Sequence, residues 1–214
     1  MNSFFYIDDK TGHGFLIDPG SAPGSIDKTG HGFQIDPGAE PEKLLKLIRE
    51  NGWVIEKVLL THGHFDHIAY ADDVRRALDI PVLAFRGADR YLLDPEMNLS
   101  TKWGPPVTLK GAEFFDDGAE LTLGADPDFS LKVIHTPGHT PDSVIFYTEK
   151  DRAAFAGDTI FKASIGNYTF PGGDYDTLIK SIRERIFTLP EETVLYSGHT
   201  EETTVGAEKR GYGL

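Results

Sequence analysis

The sequence predicts a mixed α/β fold, with two β-rich halves and helices between them. Three observations predict it. Short apolar runs bounded by Gly and Pro alternate with stretches whose apolar residues recur at helical spacing, the signature of strands interleaved with amphipathic helices. Four of the apolar runs end at a glycine with a His or Asp close by, as a strand does when it delivers a polar side chain to a sheet edge. The 214 residues, 39% hydrophobic and 26% charged, match a soluble globular chain large enough to bury a sizeable core. Residues 1–214 therefore read as a single domain.

The first elements come from a tandem repeat. Asp9-Lys-Thr-Gly-His-Gly-Phe-Leu-Ile-Asp-Pro-Gly20 recurs eighteen residues later as Asp27-Lys-Thr-Gly-His-Gly-Phe-Gln-Ile-Asp-Pro-Gly38, with only Leu16 against Gln34 differing over twelve positions. Two copies of so short a unit make a local duplication (9–26 and 27–44) of a turn and a strand, not a solenoid. Phe and Ile alternate in each copy, so either can pair with the leading Phe4-Phe5-Tyr6-Ile7. Only the second copy joins the following helix without a spacer. The expectation is that Phe33 to Asp36 takes the internal strand position, with Asp36 capping that helix or supporting a ligand. His13 and His31 lie in Gly-x-Gly turns and are expected to be turn residues.

The helix runs from Glu40 to Asn51, its apolar face formed by Leu44, Leu45, Leu47 and Ile48. Val54 to Leu60 is a strand, Ala69 to Leu78 a helix, Ile80 to Phe85 a strand and Gly87 to Leu93 a short helix. Asn98 to Lys110 reads as a loop. Strands follow at Glu120 to Leu123, Leu131 to Ile134, Ser143 to Tyr147 and Ala153 to Ala156. Asp176 to Phe187 is an amphipathic helix, with Leu178, Ile179, Ile182 and Ile186 on one face, and Thr193 to Tyr196 is a strand.

Composition excludes several function classes. A formal net charge of −13 repels phosphate backbones and argues against nucleic acid as a partner. The absence of cysteine excludes disulfides, thiolate ligands and a Cys nucleophile. The first residues lack the basic start and long apolar core of a signal peptide, and no apolar run reaches the length of a membrane span. The expectation is a cytoplasmic protein acting on a small molecule, with no membrane association. The oligomeric state is left open.

The chemistry concentrates in Thr61-His62-Gly63-His64-Phe65-Asp66-His67. Three histidines and an aspartate within six residues, directly after Val58-Leu59-Leu60, match the nitrogen and oxygen ligands of a borderline divalent cation such as zinc. In an extended loop, side chains at i and i+2 point the same way, so His62 and His64 can grip one ion. A turn after Phe65 would aim Asp66 and His67 at a neighbouring position. Downstream, His139 follows Leu131 to Ile134, Asp158 follows Ala153 to Ala156, and His199 follows Val194 to Tyr196, each beside a glycine. His135 lies inside its strand, four residues from His139, and is expected not to be a ligand.

This order of His-x-His-x-Asp-His, then His, Asp and His, resembles the metallo-β-lactamase-fold hydrolases, from Ile35-Asp36-Pro37-Gly38 to about Arg210. Gly157-Asp-Thr-Ile-Phe161, Phe170-Pro-Gly-Gly-Asp174 and Gly198-His-Thr-Glu-Glu-Thr-Thr204 bring it nearest to the short, glyoxalase II-like branch. The resemblance implies a four-layer αββα sandwich. It assigns His62, His64 and His139 to one metal and Asp66, His67 and His199 to a second, with Asp158 bridging both. The ions would be two divalent metals, zinc foremost and iron or manganese as alternatives. It implies hydrolysis of thioesters such as S-acylglutathione by a metal-bridging hydroxide, with Asp66 orienting the water. Lys162, Lys209 and Arg210 are the basic residues near the ligand motifs and the candidates for substrate contact.

The sequence departs from the family pattern at three places flanking the ligands. Gly166-Asn167-Tyr168-Thr169 stands for Gly-Arg-(Ser/Thr)-Asp, Ser197-Gly-His199-Thr200 for Pro-Gly-His-Gly, and Pro141-Asp142-Ser143 for Pro-Gly-Ser. Two other activities share the scaffold: mononuclear iron persulfide dioxygenases, and lactone hydrolases.

Overall fold

A computed structural model describes residues 1–18, 33–35 and 41–212, the middle segment by its backbone. The chain forms two compact units, one of residues 1–115 with 122–130 and the other of residues 116–121 with 131–214.

In the first unit the strands are β1 (Ser3–Ile7), β2 (His13–Ile17) and β3 (Phe33–Ile35), followed by helix α1 (Pro41–Asn51) and β4 (Val54–Leu59). Two helices, α2 (Phe65–Ile68) and α3 (Ala71–Leu78), precede β5 (Val82–Phe85), and α4 (Asp89–Leu92) and α5 (Ser100–Trp103) precede β6 (Glu113–Phe115). The six-stranded sheet has the order β3-β1-β2-β4-β5-β6. Leu44 and Ile48 of α1 and Ala71 and Val74 of α3 bury against Phe5, Leu16 and Val58 in one apolar cluster. Phe4, Tyr6 and Phe15 alternate with these along β1 and β2 and are also buried, and Phe129 stacks on Tyr6 at 4.3 Å between ring centroids. Strands with both faces apolar explain the near-continuous hydrophobic run Phe4 to Ile7.

The sheet order corrects the expectation for the repeat. The first copy forms β2, which pairs antiparallel with β1 and parallel with β4, with Leu16 opposite Val58. The second copy supplies β3, which pairs with the far side of β1 at the sheet edge. Burial decides between them: Leu16 is fully buried in the core cluster, a place where the amide of a glutamine would carry a desolvation cost. The adjacency of the second copy to the helix in sequence is a weaker constraint than the apolar character of an interior strand. His31 and Asp36 lie outside the described residues. His13 opens β2 rather than sitting in a turn, and its Nδ1 lies 2.8 Å from Glu56 Oε1.

The second unit begins with β7 (Glu120–Thr122), whose last residue belongs to the first unit, and continues through β8 (Ser130–His135), β9 (Val144–Thr148) and β10 (Ala153–Gly157). A small hairpin, β11 (Ile160–Phe161) and β12 (Ser164–Ile165), follows, then α6 (Tyr175–Ser181), β13 (Val194–Ser197), β14 (Thr203–Thr204) and α7 (Val205–Gly211). The sheet order is β14-β13-β10-β9-β8-β7, with β10 and β13 parallel and β8, β9 and β10 antiparallel. Leu178, Ile182, Ile186 and Phe187 pack on Ile145, Ala154 and Leu195. The helix expected through Phe187 widens after Ser181 into a π-helical turn, Ile182–Ile186, which places Ile182 and Ile186 together in that core. Neither the β11–β12 hairpin nor α7 follows from hydrophobic period. The hairpin strands are two residues each, and α7 carries two glycines and little apolar surface.

Candidate metal centre

In the first unit the ligands follow β4. Leu60 donates its N–H to Leu83 O, extending the parallel pairing one residue past the strand, and the chain then leaves the sheet at its carboxyl edge. Ligand sites of open α/β sheets gather at that edge. Phe65 begins the short helix α2, and its N–H donates to Asn98 O at 2.9 Å. Asn98 is itself buried and donates its side-chain amide to Tyr91 O and Val107 O, so the loop of residues 94–107 is held as a scaffold under the histidines.

His62, His64 and His67 are 2%, 3% and 0% exposed. His62 Nε2 lies 3.1 Å from His64 Nδ1, and the rings of His62 and His67 are 3.9 Å apart at their centroids. Asp66 Oδ2 is 3.9 Å from His67 Nε2. A shared cation is the arrangement that suits their lone pairs.

The hydrogen bonds select the tautomers. Asp18, at the end of β2, is 1% exposed, and its Oδ2 lies 3.1 Å from His67 Nδ1. It also accepts from Thr61 N at 2.7 Å and from Thr61 Oγ1 at 2.6 Å. Having given its proton to Asp18, the Thr61 hydroxyl accepts from His62 Nδ1, 3.2 Å away. His62 then carries hydrogen on Nδ1 and turns Nε2 toward the ligand side, and Asp18 is the carboxylate that stands beside His67. Asp18 is the functional residue the sequence reading missed. It looked to Asp36, the same residue of the other copy; the signal lay in the repeat, and the choice of copy needed the sheet order.

In the second unit His139, Asp158 and His199 come together. His139 is 1% exposed and donates Nδ1–H to Asn167 O at 2.7 Å, which leaves its Nε2 facing Asp158 Oδ2 at 3.7 Å. His199 Nε2 lies 3.3 Å from the same oxygen. One carboxylate oxygen thus stands between two imidazoles. Glycines make this possible. Gly138, at φ +134°, packs so near Leu178 that a Cβ would fall 2.3 Å from its backbone. A Cβ on Gly166 would fall 1.8 Å from Asp158 O and 3.2 Å from His139 Cβ. Gly166→Ala is therefore expected to displace both ligand segments, lowering the melting temperature and the metal content together. A variant that keeps the wild-type values of both would show that the hairpin has room to move.

The remaining candidates fall elsewhere. His135 donates its ring N–H to Pro141 O at 2.8 Å and its backbone N–H to Asp117 Oδ1, a structural role that agrees with its exclusion. Lys162 Nζ lies 2.7 Å from Glu201 Oε2, and the hydrogen bond and charge of Glu201 raise the lysine above its ordinary pKa. Lys209 and Arg210 lie beside Glu191, at 3.8 and 3.9 Å. All three cations are engaged by carboxylates.

The donor chemistry, buried imidazole and carboxylate with fixed tautomers, fits a divalent metal. The family model of the metallo-beta-lactamase superfamily matches residues 1–199, and the chain belongs to that superfamily. It is similar to a probable metallo-hydrolase, YqgX, of Bacillus subtilis: 40% identical over 169 residues, covering 78% of this chain and 79% of the relative. It is also similar to the hydroxyacylglutathione hydrolase GloC of Haemophilus influenzae: 35% identical over 172 residues, 79% of this chain and 80% of the relative. Among solved structures, the B3 metallo-beta-lactamase BLEG-1 superposes with a TM-score of 0.83 at 33% identity, over 98% of this chain and 91% of that one. TTHA1623 in a di-iron-bound form superposes at 0.75 with 30% identity, over 99% and 93%. The chain therefore has the metallo-β-lactamase fold and is a metallo-hydrolase of that superfamily.

Proposed function

We propose that this protein hydrolyses acyl thioesters of the S-acylglutathione kind, with two divalent ions, zinc foremost, held by the seven ligands. His62, His64 and His139 would serve one ion and Asp66, His67 and His199 the other, with Asp158 shared. The observation that carries this reading is Asp158 Oδ2 standing between the imidazoles of His139 and His199, where one carboxylate can serve two cations. The likeness to GloC supports the thioester.

When bound, the metals supply Lewis acidity, acidifying water towards neutral pH and drawing charge from a carbonyl oxygen. The chain's own residues do the rest. Asn167 O holds His139 in the tautomer that presents Nε2, and Asp18 stands as a carboxylate beside His67. Burial of the imidazoles excludes bulk water. Asp66, with 28% of its side chain exposed, would orient the attacking water and take its proton where only one ion is held. Among the described residues no helix is long and apolar enough to cross a membrane. A small-molecule substrate in the cytoplasm, without nucleic acid, accords with the acidic, cysteine-free composition.

The likeness to BLEG-1 favours β-lactam hydrolysis as the second reading. One experiment separates them. Metal-loaded protein is incubated with S-lactoylglutathione, with other acyl thioesters, with a lactone and with a chromogenic cephalosporin. Thioester cleavage at a kcat/KM of about 10⁴ M⁻¹s⁻¹ or more, against slow turnover of the cephalosporin, is the expected result. Survival of every thioester would overturn the assignment, and oxygen uptake with glutathione persulfide would then move it to iron chemistry.

A further inference from the structure

His199 differs from the other histidines of the ligand set. With 39% of its side chain exposed, it is the least enclosed of them, and its ring meets Phe161 of the β11–β12 hairpin edge-on at 6.0 Å between centroids. Its position also depends on the loop that carries it, and that loop is tied to the same neighbour. Gly198 donates its N–H to Gly157 O at 2.8 Å, setting the start of the loop beside the end of β10. Beyond that point the ties run to the β11–β12 hairpin, which begins two residues after Asp158. Lys162 N donates to Thr200 Oγ1 at 3.1 Å, and Lys162 Nζ pairs with Glu201. The Thr200 hydroxyl is in turn 2.8 Å from Ser197 Oγ, closing the loop across its base.

Glu208 of α7 makes the second half of this brace. It is a carboxylate only 5% exposed. Its Oε2 accepts from Ala163 N at 3.1 Å, and its Oε1 accepts from Thr203 Oγ1 at 2.6 Å. Ala163 has φ +56°, the left-handed turn residue of the hairpin, a conformation that residues with a Cβ rarely adopt. A buried carboxylate that accepts two hydrogen bonds, one from this turn and one from the strand that ends the His199 loop, holds both in register.

We infer that Thr200 and Glu208 are positioning residues for the metal ligand His199: they clamp its loop to the hairpin that follows Asp158 and so fix the His199–Asp158 spacing. The inference rests on the metallo-hydrolase reading and goes beyond it, because the resemblance implies glycine at the position of Thr200, and glycine has no hydroxyl to make this tie. It also gives Lys162 a structural part in place of the substrate contact expected from sequence.

The test is zinc affinity, measured on the intact protein by competition with a chelating dye, together with the melting temperature of the metal-free form. Thr200→Ala is expected to weaken one of two zinc ions by about tenfold, the lower end of what loss of an outer hydrogen-bond partner costs a metal site, and to leave the other ion unchanged. Thr200→Ser restores the hydroxyl and should restore the affinity. Glu208→Gln keeps an acceptor for Ala163 N and a donor for Thr203 Oγ1 and should stay near wild type; Glu208→Leu should act as Thr200→Ala does. If Glu208→Leu fails to fold, the exposed-loop pair Thr200→Ala and Thr200→Ser decides alone. Unchanged affinity for both ions in Thr200→Ala overturns the inference, as does an equal loss at both ions with a lowered melting temperature. A wild-type chain that binds no divalent ion overturns the metal reading itself, which is a distinguishable failure.

Discussion

Asp158→Ala is expected to lower bound metal from about two ions per chain to about one, and to reduce hydrolysis by roughly a hundredfold or more. The reason is geometric. Asp158 Oδ2 faces His139 Nε2 at 3.7 Å and His199 Nε2 at 3.3 Å, and its side chain is 10% exposed, so no water-borne anion replaces it readily. Lewis-acid stabilisation of developing charge is worth several kcal/mol, and each ~1.4 kcal/mol is tenfold in rate. Asp158→Asn keeps the shape and hydrogen-bonding reach of the side chain while removing its charge, so it separates the two contributions: metal loss in Asn as well as Ala assigns the effect to charge. Elemental analysis of protein purified without added metal checks the first part and thioester turnover the second. Full metal content in Asp158→Ala would remove the shared-ligand role.

Much of the site was legible in the sequence because its signals are local. The ligand candidates His62, His64, Asp66 and His67 fall within six residues, and His139, Asp158 and His199 each follow an apolar run at a glycine; strand ends of this kind are visible to hydrophobic periodicity. The strands expected from Val54 onward were legible for the same reason, to within a residue or two at each end, whereas β6, the β11–β12 hairpin and β14 were not. What was hidden depends on distant pairing. The partner that orients His67 is Asp18, forty-nine residues away in sequence, and nothing near His67 announces it. The brace on His199 depends on Glu208, a charged residue in a helix with almost no apolar face, where burial reverses what composition predicts. The tautomer of His62 was equally out of reach, because it follows from a hydroxyl that can donate in only one direction at a time.

The duplication yields the sharpest contrast between twin residues. Asp18 and Asp36 occupy the same place in the two copies, but Asp18 is the one whose oxygens reach Thr61 and His67. Asp18→Ala leaves Thr61 N and Oγ1 buried without their acceptor, a cost of about 1–3 kcal/mol. It also removes the carboxylate beside the His67 ring, which is expected to weaken metal binding by roughly 10–100-fold. Asp36→Ala touches neither contact and is expected to stay within about 0.5 kcal/mol of wild type. The core makes a parallel case: Leu16 is fully buried, so Leu16→Gln should cost about 3 kcal/mol, while Gln34→Leu should be nearly neutral. Chemical denaturation and zinc titration of the four variants check this directly. The reverse pattern, with Asp36→Ala crippling and Asp18→Ala silent, would place the second copy in the interior strand. The agreement of both pairs is needed, because a copy that fills the strand must supply the buried leucine and the carboxylate behind His67 together.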